Sequence, residues 1–159
     1  MDSILTWMEN SAPAQFILET PWAFPTLETL HFIGLILLIG SLYVVDLRFL
    51  GLARRIPLDA VLKFVPVTVL GFVINLVTGV LFLFADPFRY YPNLAFRLKM
   101  LAVLLAGLNL LWFKFSVNLD RLAADPTATP AFTLRLIAGL SLLLWTSVIV
   151  FGRLIPYLE

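Results

Sequence analysis

Phe24-Pro25-Thr26-Leu27-Glu28-Thr29-Leu30-His31-Phe32-Ile33-Gly34-Leu35-Ile36-Leu37-Leu38-Ile39-Gly40-Ser41-Leu42-Tyr43-Val44-Val45 is the stretch that decides the fold. Beyond His31 it has no ionisable group except a tyrosine, and a helix crossing a bilayer needs about 20 mostly apolar residues. Three more such windows follow. The ten prolines stand at 13, 21, 25, 57, 66, 87, 92, 126, 130 and 156, and the long intervals between them hold apolar runs near 64–85, 95–117 and 133–155. Pro66 falls in the first turn of the second run, where its missing N–H leaves no helix bond unmade. The expectation is four membrane-spanning helices near 24–45, 64–85, 95–117 and 133–155.

Composition agrees. Of 159 residues only 13% are charged, about half the share a soluble globule carries on its surface, and mean hydropathy is +0.98. Eleven Lys and Arg against ten Asp and Glu give a formal charge of +1, which leaves no basic face for nucleic acid. The chain has no cysteine and one histidine. Disulfides, zinc fingers, iron–sulfur clusters, thiol catalysis and any metal site needing two histidines of one chain are thereby excluded.

The links at roughly 47–63, 86–94 and 118–132 are short, with turn-forming Asp86-Pro87 and Asp125-Pro126. Short links make consecutive spans alternate in direction, so the expected fold is all-α: a single up-down bundle of four transmembrane helices over residues 1–159. Basic residues set its orientation. No Lys or Arg precedes the first span, whereas Arg48, Arg54, Arg55 and Lys63 follow it, and Lys114, Arg121 and Arg135 fall on the same side. Against Arg89, Arg97, Lys99 and Arg153 on the other side, this predicts both termini outside. Trp22, Tyr90, Tyr91 and Tyr157 then occupy the outer interface, where amphipathic rings favour the headgroups. The N-terminal stretch lacks the basic n-region and cleavage site of a signal peptide. Its apolar residues, broken at Ser11-Ala12-Pro13, read as a short amphipathic segment lying on the membrane surface.

A few polar residues fall where the bilayer makes them costly. Glu28 and His31 are three apart and share a helix face, with Gly34 one turn deeper. If the span is centred near residue 35, His31 lies about 6 Å outside the midplane; Lys99 lies about 10 Å to the same side on the third helix. Below Lys99 a stripe of Ala102, Ala106 and Asn109 follows helical spacing, and Gly71, Asn75 and Thr78 share a face of the second span. Lys99, Arg97 and Lys114 have the alternative of snorkelling to headgroups, and Glu28 that of starting the helix or pairing with Arg97. Gly and Ala stripes also serve helix packing, and Asn75 and Asn109 interhelical hydrogen bonds. An ionisable group inside a span is a functional candidate by default, which singles out His31. Asp46-Leu47-Arg48 reads as a local charge pair where the first helix leaves the membrane.

Leu27-Glu28-Thr29-Leu30-His31-Phe32-Ile33-Gly34, Gly40-Ser41 and Asp46-Leu47-Arg48-Phe49-Leu50-Gly51 resemble an uncharacterised family of small bacterial four-helix membrane proteins. Thr78-Gly79 and Phe96-Arg97-Leu98-Lys99 extend that resemblance, which implies the bacterial cytoplasmic (inner) membrane. More distantly, the layout is similar to the four-helix membrane protoporphyrinogen oxidases and the copper-resistance D type proteins. In the former, a histidine of the first span and a lysine early in the third are associated with haem b. His31 and Lys99 fall on those positions, while the residues next to the lysine depart from that pattern as Phe96 and Arg97.

The reading is then a small membrane protein that binds haem b through His31 and acts in redox or electron transfer. His31 is the metal ligand, Arg97 or Lys99 pairs with propionates, and Gly34 makes room for the ring. The sixth position is open, or filled by Lys99, Met100 or His31 of a second copy. Glu28 and His31 are the catalytic candidates as proton acceptors. Different classes compete: a non-catalytic accessory subunit of a larger membrane complex, or a proton-linked transporter or sensor using Glu28, His31 and Lys99. Four unbroken spans offer little for alternating access. Glu28-x-x-His31 also matches half of a di-iron carboxylate site, whose second half this chain lacks. The expected partners are the lipid bilayer and a homodimer or larger membrane complex.

Overall fold

Helix breaks in the sequence set the element boundaries. The computed structural model describes residues 2–53, 55–118 and 131–158. Helix α1 (Asp2–Glu9) stops at Asn10-Ser11, and α2 (Ala12–Glu19) restarts with Pro13 in its first turn. Helix α3 (Ala23–Leu50) ends where Gly51 turns left-handed at φ 89°; Gly51 and Leu52 return their N–H groups to Arg48 and Leu47, a glycine-dependent stop. After α4 (Leu58–Leu62), helix α5 (Val65–Ala85) begins with Pro66 in its first turn, and a short α6 (Pro87–Tyr90) is capped by Asp86. Asn93 caps α7 (Leu94–Ser116), accepting from Phe96 N at 3.0 Å. Helix α8 (Phe132–Leu154) runs into a 3-10 turn at Ile155–Tyr157.

All elements among the described residues are helical, and four stretches are long and apolar enough to cross a membrane: Ala23–Leu50, Leu58–Ala85, Leu94–Ser116 and Phe132–Tyr157. Side-chain register gives their directions. Going down α3, residues 31, 34, 38 and 41 meet 78, 75, 71 and 68 of α5, so the two are antiparallel. Tyr43 meets Thr146 at 2.6 Å and Leu50 lies over Gly139, so α8 is also antiparallel to α3. Asn109 meets Ile137, and Lys99 meets Gly152, which sets α7 antiparallel to α8. Helices α3 and α7 therefore run one way and α5 and α8 the other.

The close pairs are α3–α5, α7–α8 and α3–α8, while α5 and α7 do not pack extensively on each other among the described residues. Aromatic side chains join further pairs: Phe72 of α5 meets Trp145 of α8 edge-on at 6.2 Å, and Phe49 of α3 stacks on Phe113 of α7 at 5.5 Å. The tightest joint is α3 on α5. A methyl on Gly71 would strike Leu38 N and come within 2.7 Å of Gly34 O, so backbone lies against backbone there. Glycine is required for that approach.

The first helix is longer than the 24–45 expected from sequence. Asp46 and Arg48 are only 5% and 4% exposed, so the helix continues past them inside the fold. Two residues apart on a helix point in different directions: Asp46 takes a hydrogen bond from Ser141 of α8, while Arg48 donates Nε to Ile56 O at 2.9 Å. The local charge pair expected of Asp46 and Arg48 is replaced by these two separate attachments. Asp125-Pro126 and Arg121 lie outside the described residues.

Helices α1 and α2 fold over the end of the bundle where α3 begins. Trp7 meets Phe84 edge-on at 6.0 Å, and Ile17 is buried with Leu27 and Ala85. Ile4, Trp7, Phe16, Leu18 and Trp22 remain more than half exposed, an apolar rim at that end. Along α3, α5, α7 and α8, large residues such as Ile36, Val69, Leu104 and Leu143 also face outward.

Candidate histidine site

His31 lies eight residues into α3 and leans onto α5. Its Nδ1 is 2.7 Å from Thr78 Oγ1. The Thr78 hydroxyl is 2.7 Å from Ile74 O, to which it donates. A hydroxyl has one proton to give, so Thr78 accepts from the ring and the Nδ1 nitrogen carries the hydrogen. In a neutral imidazole that leaves the lone pair on Nε2. Phe82, one turn on from Thr78, meets the ring edge-on at 5.5 Å, and a methyl on Gly79 would touch Cε1 at 3.9 Å. Two side chains of one helix, Thr78 and Phe82, thus hold the ring, and the Thr78 bond sets its tautomer.

Lys99 reaches the same region from the opposite helix pair. Its side chain lies along Gly152 of α8, where a methyl would sit 3.6 Å from Nζ and 3.7 Å from Cδ and Cε. The two groups come from α3–α5 and α7–α8 respectively, the pairs between which α5 and α7 stay apart. Both lie in the half of the bundle where α3 and α7 begin, His31 against α5 and Lys99 against α8.

The other candidates are placed differently. Gly34 faces α5: a methyl there would fall 2.6 Å from Asn75 Nδ2 and 2.7 Å from an Ile74 methyl. The room expected at Gly34 for a macrocycle is filled by these side chains, and its role is helix contact. Arg97 is exposed and committed to the preceding turn, with Nε donating to Tyr91 O at 3.1 Å and its guanidinium 5.6 Å from the Tyr91 ring centre. Glu28 is also exposed. It lies near Tyr90, whose phenol is pushed up from its ordinary value chiefly by burial, against the opposing effect of Arg89 and with Asp86 and Glu28 adding to the rise. Met100 is 41% exposed. Ala102, Ala106 and Asn109 are buried, and Asn109 Nδ2 donates to Ile137 O of α8 at 3.0 Å.

Sequence reasoning missed Thr78 as the partner of His31, Phe82 as its ring neighbour and Gly152 as the neighbour of Lys99. Thr78 was visible on the Gly71–Asn75 face. The antiparallel register that sets it opposite His31 depends on the Gly34–Gly71 contact, which sequence spacing does not give. Among the described residues no group of three His, Cys, Asp or Glu could hold a metal ion.

A model for a family of unknown function, DUF6644, matches residues 22–158. The chain belongs to DUF6644. The match opens at the start of α3, so α1 and α2 precede the part that DUF6644 describes, while His31, Thr78 and Lys99 all fall within it. Neither the curated proteins nor the solved structures give a match.

Proposed function

We propose that this DUF6644 protein crosses the bacterial cytoplasmic membrane four times, with both termini outside, and holds haem b through His31 Nε2 for redox or electron-transfer work. The observation that carries the reading is the His31–Thr78 hydrogen bond. Histidines that ligate metals almost always donate their other ring N–H to a fixed acceptor, which sets tautomer and orientation. Here Thr78 is that acceptor, 2.7 Å away and itself anchored to Ile74 O.

His31 would supply an imidazole to the iron and Lys99 a cation for a propionate, and Gly79 and Gly152 leave the flanks of both without side chains. Gly34 and Arg97 drop out of the set for the reasons above. Bound haem supplies one-electron chemistry, whose potential depends on ligation and burial. What the chain contributes is a ring with one defined tautomer, an adjacent fixed charge and an apolar surround.

The test is the absorption spectrum of protein purified after expression with haem supplied. A Soret band is expected, absent in His31→Ala and reduced in Lys99→Met. A wild-type chain that stays colourless overturns the reading; if it then copurifies with a larger membrane complex, it is the non-catalytic accessory subunit.

A further inference from the structure

A second polar cluster lies near the other end of α3, apart from the histidine site. Asp46 of α3, Asn109 of α7 and Ser141 of α8 are 5%, 8% and 7% exposed. Ser141 hydrogen-bonds the Asp46 carboxyl, and Asn109 donates Nδ2 to Ile137 O at 3.0 Å. Ser141 and Ile137 are one turn apart on the same face of α8. Phe49 and Phe113 stack at 5.5 Å between α3 and α7, which run in the same direction. Asp46 is one turn before Phe49 and Asn109 one turn before Phe113, so each lies on the side of its helix that carries the stacked ring, and their partners on α8, Ser141 and the Ile137 carbonyl, are within one turn of each other.

Two buried oxygens in this cluster have no hydrogen-bond partner among the described residues: Asp46 Oδ2 and Asn109 Oδ1. The amide cannot be turned round to help, because its NH2 is committed to Ile137 O. Both orphans are acceptors, so among the described residues what the cluster lacks is a donor. The described charged side chains on the elements packed around it make no hydrogen bond to either oxygen. Arg48 leads to Ile56 O. Arg135, whose own Nε is buried without a hydrogen-bond partner among the described residues, starts six residues before Ser141, about 9 Å along α8; Lys114 is exposed, and α4 and its C-cap offer only exposed Asp59 and Lys63. Helix α5 has no charged residue at all. A cation such as Na+ prefers more oxygens than the two left free here.

We infer that Asp46 is a proton-binding site inside the bundle: its carboxyl carries a proton on Oδ2 and donates it towards Asn109 Oδ1, while its other oxygen accepts from Ser141. One proton then satisfies both orphan oxygens and removes an uncompensated charge from the apolar interior. Asp46→Asn reproduces this neutral arrangement with an amide N–H in place of the acid O–H.

Infrared spectroscopy of the whole protein in lipid nanodiscs tests it. The wild type is expected to show the C=O stretch of a protonated carboxylic acid, and Asp46→Asn to lose that band while keeping the wild-type melting temperature. Asn109→Leu is expected to retain the band at a higher frequency, since its hydrogen bond is gone. A spectrum in which Asp46→Asn removes only a carboxylate band overturns the inference, as does a protonated band abolished by Na+ at constant ionic strength, which would assign the oxygens to a metal cation. A band unmoved by Asn109→Leu overturns the role of Asn109. None of these readouts depends on haem.

Discussion

The single histidine of the chain and Thr78 are joined across two antiparallel helices at 2.7 Å, with the threonine proton already committed to Ile74 O. This bond decides which ring nitrogen is available, and it is open to direct observation because no other histidine contributes signals. Protein labelled with 15N in the imidazole is expected to show one protonated nitrogen, Nδ1, and one bare nitrogen, Nε2. In Thr78→Val, which preserves shape and removes the acceptor, the two shifts are expected to converge as the tautomers mix. The lost hydrogen bond is worth about 1 kcal/mol. An unchanged pair of shifts would show that something other than Thr78 holds the ring.

The contact of Gly71 with Leu38 N and Gly34 O leaves no room for a methyl. Gly71→Ala is therefore expected to push α3 and α5 apart and to lower stability by about 1–3 kcal/mol, the ordinary range for overpacking. Gly107→Ala is the control, because nothing lies within 4 Å of its added methyl; in a helix interior it should be neutral or stabilising by up to about 1 kcal/mol. Thermal unfolding in detergent compares the two. Because His31 lies one turn from Gly34, Gly71→Ala is also expected to disturb the histidine signals, and Gly107→Ala to leave them unchanged.

Those two positions show how far the sequence could be read. Four helices long and apolar enough to cross a membrane followed from hydropathy and proline placement, since length and apolarity are local properties, although the first runs past its expected end. That His31 and Lys99 stand in the same half of the bundle followed from depth, because rise per residue is fixed in a helix. Which faces meet did not follow. Gly34 looked like room for a ligand and proved to be a seat for Asn75 and Ile74, and Arg97 looked like a site cation and turned back to Tyr91. Both outcomes depend on helix rotation, which distributed contacts such as Gly71 on Leu38 determine. Asp46 and Arg48 were misread for a related reason: their charge implied an exit from the membrane, whereas burial beside Ser141 and Ile56 let α3 run on to Leu50.

Asn93 ties the start of α7 to the end of α8. Its Oδ1 accepts from Phe96 N, and its Nδ2 donates to Ile155 O at 3.0 Å and Leu158 O at 3.2 Å. Asn93→Asp keeps the cap but puts a carboxylate against two carbonyls; Asn93→Ala loses both functions. The cap alone is worth about 1 kcal/mol, and each bond to a carbonyl a similar amount. Hydrogen exchange is expected to increase at the amides following Leu154 in both variants, and at Phe96 only in Asn93→Ala. Equal protection at Phe96 in the two variants would show that the cap is not what starts α7.

Orientation is testable because the chain has no cysteine of its own. Pro92, next to the α7 cap, and Leu52, just past the end of α3, are both exposed at opposite ends of the bundle. The predominance of Lys and Arg around the Leu52 end places that end inside under the positive-inside rule, and the exposed Trp7 and Trp22 rim at the other end suits an outer interface. A membrane-impermeant thiol reagent added to intact cells is therefore expected to label Pro92→Cys and not Leu52→Cys, with both labelled after the membrane is permeabilised. The reverse pattern would put His31 and Lys99 nearer the cytoplasm and Asp46 nearer the outside. It would exchange the sides from which a proton or an electron donor could reach each site, while leaving every contact within the bundle as described.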